Sequence, residues 1–156
     1  MEHEFAPGTL AVQMRSAAQE LRALEEVTAP YGLSLSEEQI RNLVERRFDA
    51  LRETGRVEFG GGVLGKLVRA FCDSPYLTRE NYEETLLELQ DSFYYFKNES
   101  MDRLTDDELI EFMKRVFSGR AQGSLDYLAG TSLEELCRYA REGFDPRDAG
   151  RLGDRF

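Results

Sequence analysis

Helix-start signals recur along this chain and constrain its fold more than any other feature. At residues 36–39, 105–108 and 132–135, Ser or Thr is followed three positions later by Gln or Glu. In such a capping box the hydroxyl and the later side chain satisfy amide donors of the first helical turn. Glycines follow several apolar segments, as is typical of helix ends. The glycines expected to end helices are Gly32, Gly55, Gly119 and Gly143.

Apolar residues between these signals recur at the three- and four-residue spacing of one helix face. The clearest set predicts a single apolar stripe along one long helix. Its members are Tyr82, Leu86, Leu89, Phe93 and Phe96. Six helices are predicted, at residues 9–29, 37–54, 62–73, 79–99, 106–118 and 132–142. The predicted fold class is therefore all-α, a single-domain bundle of about six helices.

The length of the chain fits one domain, because 156 residues bury enough surface to form one core. Residues 1–8 are expected to be a flexible N-terminus and residues 9–143 the helical domain. The charged, glycine-containing residues 144–156 are expected to form a frayed tail. Residues 56–59 and 122–128 are candidates for one minimal pair of β-strands added to the bundle.

Acidic residues outnumber basic ones, and the net charge is -10. This charge disfavours binding to nucleic acid or to an anionic membrane surface. The excess is concentrated between residues 78 and 111, which contain eleven Asp or Glu against three Lys or Arg. Two interpretations stay open for this region: a solvated helix surface, or a docking face for a basic protein partner.

The composition excludes several kinds of catalytic and metal site. His3 is the only histidine, so Ser-His-Asp and Cys-His catalysis, most zinc sites and di-iron bundles lack a required residue. Cys72 and Cys137 each lie in an apolar helical pattern, which predicts small buried side chains rather than a redox pair. Acid–base catalysis by Asp and Glu alone stays open, but no catalytic residue, cofactor or metal is predicted.

The segment at residues 60–66 has the G-x-x-x-x-G-K pattern of a phosphate-binding loop. Leu67 follows it, however, where such a loop needs Ser or Thr to hold magnesium. A nucleotide-hydrolysing loop is therefore not expected. The glycines form either a sharp turn that lets the next helix begin close to its neighbours or a site for a phosphate or carboxylate ligand. The residues of that candidate ligand site are Arg56, Gly60, Gly61, Gly62 and Lys66.

The helix predicted at residues 79–99 carries further residues away from its apolar stripe. Leu87, Tyr94 and Tyr95 either widen a buried face or form a partly exposed aromatic patch. Glu84 and Glu88 lie one turn apart on the same helix and belong to the acidic region. The candidate partner-binding residues are Glu84, Glu88, Tyr94 and Tyr95.

Two segments, "FCDSPY" at residues 71–76 and "FYYFKNES" at residues 93–100, carry a resemblance to a known family. Over residues 30–144 the chain resembles a set of bacterial proteins, typical of anaerobic gut Gram-positive bacteria, classed as a domain of unknown function. The resemblance implies a small cytoplasmic bacterial protein. It implies no catalytic residue, cofactor or partner.

The leading functional hypothesis is a non-catalytic protein-interaction or regulatory module that uses an acidic helical surface. The alternative is a binder of a small anionic ligand at the turn of residues 60–66. The expected partner is another protein rather than nucleic acid or a membrane. A cytoplasmic location is expected, because residues 1–10 lack the basic start and apolar run of a signal peptide. The longest apolar runs are also far shorter than the roughly 20 residues of a membrane span.

Overall fold

Helices make up most of the computed structural model, which describes residues 7–58 and 62–143. The helices are α1 (Pro7–Ala23), α2 (Glu25–Thr28), α3 (Glu37–Thr54), α4 (Gly62–Phe71), α5 (Tyr82–Glu99), α6 (Asp106–Ser118), α7 (Leu125–Tyr127) and α8 (Glu134–Arg141). A 3-10-helical turn (Ala29–Tyr31) follows α2, and a π-helical turn (Leu128–Leu133) joins α7 to α8. Six of the helices within the described residues have eight or more residues. The predicted all-α, single-domain bundle is confirmed.

Two of the three predicted capping boxes start helices as expected. At α3, Ser36 Oγ accepts from the Gln39 amide at 3.1 Å, and Gln39 Oε1 accepts from the Ser36 amide at 2.8 Å. At α6, Thr105 and Glu108 make the same pair of bonds at 3.1 and 2.9 Å. Each box satisfies amides that would otherwise lack an intrahelical partner. The local sequence alone therefore predicts these two helix starts.

The third box, at Ser132, is wrong as a helix start. Ser132 is buried inside the π-helical turn, and no side chain caps the first turn of α8. The helical segment begins earlier, where Ser124 Oγ accepts from the Tyr127 amide at 3.1 Å. Leu128 and Leu133 are both fully buried, so helical structure continues through this region to keep them in the core.

The predicted pair of β-strands is also wrong. Residues 56–58 are irregular, and residue 59 lies outside the described part of the chain. Residues 125–128 of the second candidate strand are helical, because Ser124 caps a helix there. No strand occurs in residues 7–58 or 62–143.

Helix α5 occupies the centre of the bundle and contacts α3, α4, α6 and α8. Its predicted apolar stripe is buried along its whole length. Each fully buried leucine or phenylalanine of this kind contributes roughly 1.5–3 kcal/mol relative to exposure. The position of α5 in the core is therefore set by its apolar stripe. Residues 7 and 8 of the predicted flexible N-terminus belong to α1, so that part of the prediction is wrong, and residues 1–6 and 144–156 lie outside the described residues.

Replacing Thr105 with alanine removes the acceptor of the α6 capping box and should lower the free energy of unfolding by about 1 kcal/mol. Urea denaturation followed by circular dichroism measures this loss. Thr131→Ala is the matched control, because Thr131 is exposed and its hydroxyl makes no hydrogen bond within the described residues. Equal losses in the two variants would show that the cap contributes nothing specific.

Candidate partner-binding surface

Although α5 is central, one of its faces is exposed to solvent. Glu84, Glu88 and Tyr95 are exposed, and Tyr95 retains 52% of its accessible surface. Spacings of four and seven residues place all three on the same side of a helix. We call these three residues the outer face of α5.

The acidic residues of α5 differ in whether their carboxylates have a polar partner within the chain. Within the described residues, Glu84 and Glu88 make no ion pair and no side-chain hydrogen bond. The other acids of the helix lie against α3 or α8 and have partners there. These pairs are Glu83 with Asn42, Asp91 with Arg46, and Glu99 with Arg141. Asn42 is neutral, so Glu83 keeps its charge; Glu84 and Glu88 are the acids of α5 that have neither a side-chain hydrogen bond nor an ion pair within the described residues.

Tyr94 and Tyr95 have opposite environments. Tyr94 is 1% exposed, and its hydroxyl donates to Glu58 Oε1 at 2.6 Å. Tyr95 is half exposed, and its ring packs edge-on against Phe96 at 4.9 Å between centroids. The prediction that Tyr94 belongs to an accessible partner-binding patch is therefore wrong. Neighbouring helical residues point about 100° apart, so one ring faces the core while the other faces solvent.

Further exposed apolar side chains lie near the carboxyl end of α5. Met101 and Val57 are 63% and 72% exposed. Arg56 joins the two segments that carry them, because it donates to both Asn98 and Asp102. Met101 and Asp102 also have left-handed backbone conformations, with φ of +56° and +58°. A non-glycine residue adopts this conformation at an energetic cost, so surrounding contacts hold the turn in place.

The glycine-rich turn packs against a carboxylate of this chain. Gly60 and Gly61 lie outside the described residues, and Gly62 is the first residue of α4, with φ of +59°. A Cβ atom added to Gly62 would clash with Glu58 Oε1. The Glu58 carboxylate therefore lies directly beside the start of α4, where the helix dipole favours negative charge. An anionic ligand at the start of α4 would therefore lie close to the negative charge of Glu58.

The two cations of the candidate ligand site are paired with acids of the chain. Arg56 pairs with Asp102 at 2.5 Å, and Lys66 pairs with Asp107 at 2.9 Å. The hydrogen bond from Lys66 to Asp107 also raises the pKa of the lysine. An external phosphate or carboxylate would have to compete with both acids for these two side chains. Of the predicted site, Arg56, Gly62 and Lys66 are thus accounted for by contacts within the protein.

A buried polar cluster, which sequence reasoning missed, fixes this region to the core. The Arg47 side chain is 2% exposed, and its Nε donates to Glu58 Oε1 at 3.2 Å. The same oxygen accepts from Tyr94, so one carboxylate joins α3, the irregular segment before α4, and α5. Burial and the neighbouring Glu58 charge raise the pKa of Tyr94, which keeps its hydroxyl a donor. We call Arg47, Glu58 and Tyr94 the buried cluster.

One feature of the sequence points to this cluster. Arg47 follows Val44 by three positions and precedes Leu51 by four, and both neighbours are buried core residues of α3. An arginine at an apolar-face position of a helix requires an internal acceptor. The sequence does not show which of the acidic residues supplies it.

A family model described as a family of unknown function, DUF6323, matches residues 20–146. The match covers most of the chain. The chain belongs to this family. The predicted resemblance to a family of unknown function is confirmed, and the bacterial origin it implies stays a prediction. No curated protein and no solved structure matches the chain. The DUF6323 match includes the whole of α3 to α8, and so both the outer face of α5 and the buried cluster.

Both thiols of this DUF6323 protein are free and buried, as predicted. Burial raises the pKa of Cys72, and it raises the pKa of Cys137 to about 12. The two groups are therefore protonated thiols at neutral pH rather than reactive thiolates. Within the described residues, no group of three or more His, Cys, Asp or Glu residues could hold a metal ion. The same part of the chain has no helix that combines the length and apolar character needed to cross a bilayer.

An open groove of about 460 Å³ lies between α4 and α6 of the DUF6323 fold. Ala70 and Ile110 supply apolar lining, and Arg69 and Glu111 supply opposite charges. Lys66 and Asp107 also line the groove and pair with each other. Because the charges are mixed and partly matched, the groove favours no single class of ligand.

Proposed function

We propose that this DUF6323 protein is a non-catalytic interaction module that binds a basic segment of another protein through the outer face of α5. The observation that carries this proposal is the unpaired charge of Glu84 and Glu88 on the same exposed face as Tyr95. Like charges one helical turn apart repel each other. A partner that places Lys or Arg between them would remove this repulsion.

Each part of the outer face has a distinct role in this proposal. Exposed carboxylates attract a basic partner and make its association sensitive to salt. Tyr95 offers an apolar ring and a hydroxyl, the combination that is enriched at the centres of protein interfaces. We therefore expect the partner segment to combine basic residues with an apolar side chain that contacts Tyr95. Met101 and Val57 extend the apolar surface available near the end of α5.

The environment of the strongest nucleophiles supports a non-catalytic role, because both thiols are buried and protonated.

The anion-binding alternative at residues 60–66 is less well supported. A ligand there would face the negative charge of Glu58 and would compete with Asp102 and Asp107 for the cations. The same proposal takes the protein to be bacterial and cytoplasmic, as its resemblance to proteins of anaerobic gut Gram-positive bacteria implies.

The variant Glu84→Lys/Glu88→Lys should lose a partner that the unaltered protein captures from its native lysate at low salt. Reversing both charges replaces attraction by repulsion for a basic segment. The tagged full chain and its variants are compared at low and high salt, with bound proteins identified by mass spectrometry. Tyr95→Ala should weaken capture of the same partner without abolishing its salt dependence.

The control for this experiment is Glu26→Lys/Glu111→Lys, which makes the same change in net charge at exposed positions on α2 and α6. The partner should be captured by this control as well as by the unaltered protein. Undiminished capture by Glu84→Lys/Glu88→Lys would contradict a role for the outer face. Equal loss from both double variants would show that only total charge matters.

A further inference from the structure

The hydroxyl of Tyr82 is buried without a partner. Tyr82 is the first residue of α5 and is 2% exposed. Its hydroxyl makes no hydrogen bond within the described residues. Buried hydroxyl groups in folded proteins are nearly always hydrogen-bonded, to protein or to ordered water, because an unpaired one carries a desolvation penalty. The hydroxyl of Tyr82 therefore requires a hydrogen-bond partner close to the end of its ring.

Tyr82 lines a small cavity of about 10 Å³ between α1, α2, α3 and α4. This is roughly the smallest volume, about 10–15 Å³, that accommodates one water molecule. Two other polar residues, Glu25 and Thr28 of α2, line the same cavity. The rest of its lining is apolar and comes from Leu and other aliphatic side chains. A water molecule needs two to four polar partners, and three residues here can supply them.

The hydrogen-bonding directions of these groups are complementary. Burial raises the pKa of Tyr82 to about 12, so its hydroxyl is protonated at neutral pH and acts as a donor. Thr28 is 3% exposed, and its hydroxyl donates to the Leu33 carbonyl at 2.9 Å, with a longer contact of 3.4 Å to the Glu25 carbonyl. The lone pairs of Thr28 Oγ1 are then available to accept. The residues that line this cavity thus include one hydroxyl donor, on Tyr82, and one hydroxyl acceptor, on Thr28.

We propose that this cavity binds one structural water molecule, which accepts from the Tyr82 hydroxyl and donates to Thr28 Oγ1 and to an oxygen of Glu25. The water joins the four-residue helix α2 to the first turn of α5, two elements far apart in sequence. It fixes the position of α2, a helix too short to be stable without tertiary contacts. The site is independent of the outer face of α5, so neither proposal depends on the other.

The melting temperature of Tyr82→Phe tests this proposal, because a fall and a rise in that temperature have different causes. If water satisfies the hydroxyl, removing the hydroxyl breaks a buried hydrogen bond and leaves the water with fewer partners. The melting temperature, the midpoint of thermal unfolding, should then fall by roughly 2–4 °C for a protein of this size. If the hydroxyl is unpaired, its removal relieves a desolvation penalty, and the midpoint stays the same or rises. Tyr95→Phe is the control, because that hydroxyl is on an exposed residue and its loss should leave the midpoint unchanged.

A high-resolution crystal structure of the unaltered full chain supplies a second readout. We expect an electron-density peak at roughly 2.6–3.0 Å from Tyr82 Oη and within hydrogen-bond distance of Thr28 Oγ1. The crystal structure of Tyr82→Phe should show this peak weakened or lost. Two results would overturn the proposal: no peak beside Tyr82 Oη in the unaltered protein, or a midpoint for Tyr82→Phe equal to or above that of the unaltered protein.

Discussion

Replacing Arg47 with alanine is expected to lower the free energy of unfolding by about 3–5 kcal/mol, the largest loss that we predict for a single substitution. The Arg47 side chain is 2% exposed, and its partner Glu58 is 14% exposed. Removing the arginine leaves a carboxylate in the protein interior with its charge uncompensated. Urea denaturation monitored by circular dichroism measures the loss.

Arg52→Ala is the matched control for this variant. Arg52 pairs with Asp49 at 2.7 Å, but both side chains are exposed, so its loss should be below about 1 kcal/mol. The double variant Arg47→Met/Glu58→Gln should recover part of the stability, because it removes both charges and retains an acceptor for Tyr94. If Arg47→Ala is no more destabilising than Arg52→Ala, the ion pair is not buried in solution.

Replacing Gly62 with alanine is expected to cost roughly 2–4 kcal/mol, for two separate reasons. Its φ of +59° is strained for any residue with a Cβ atom. The added Cβ would also clash with Glu58 Oε1 and lie 2.9 Å from Arg47 Nη2. Glu58 would have to move, and its hydrogen bonds to Arg47 and Tyr94 would weaken or break.

Gly32→Ala separates these two costs. Gly32 has a φ of +77°, but no atom lies within 4 Å of the position of its Cβ. This control should lose only the conformational part, about 1 kcal/mol. Thermal or urea unfolding of both variants gives the comparison. Equal losses would mean that the buried cluster tolerates a methyl group and that the glycine is required only for its backbone conformation.

Much of the fold could be predicted from the sequence, because the signals that decide it are local. The capping boxes at Ser36 and Thr105 and the apolar stripe of α5 involve residues within one or a few turns of each other. The box at Ser132 failed because a competing cap, Ser124, starts the helix earlier, and burial of Leu128 continues it. That outcome depends on packing against other helices, which a four-residue pattern does not contain.

The candidate sites were less predictable, because they depend on contacts between distant segments. Glu58 precedes Gly62 by four residues, yet its position beside α4 depends on Arg47 and Tyr94. The same distant contacts decide which of two adjacent tyrosines is buried. Charge density alone located the acidic region, and the partners of the other acids of α5 distinguished Glu84 and Glu88 within that helix.

The buried cluster also bears on the order in which this chain folds during its synthesis. Glu58 and Arg47 leave the ribosome well before Tyr94, which is 36 residues beyond Glu58. Until α5 has emerged, α3 and α4 lack the central helix against which their apolar faces pack. The nascent chain therefore cannot complete its core helix by helix. We infer that α3, α4 and α5 complete their shared core together, once α5 has been released.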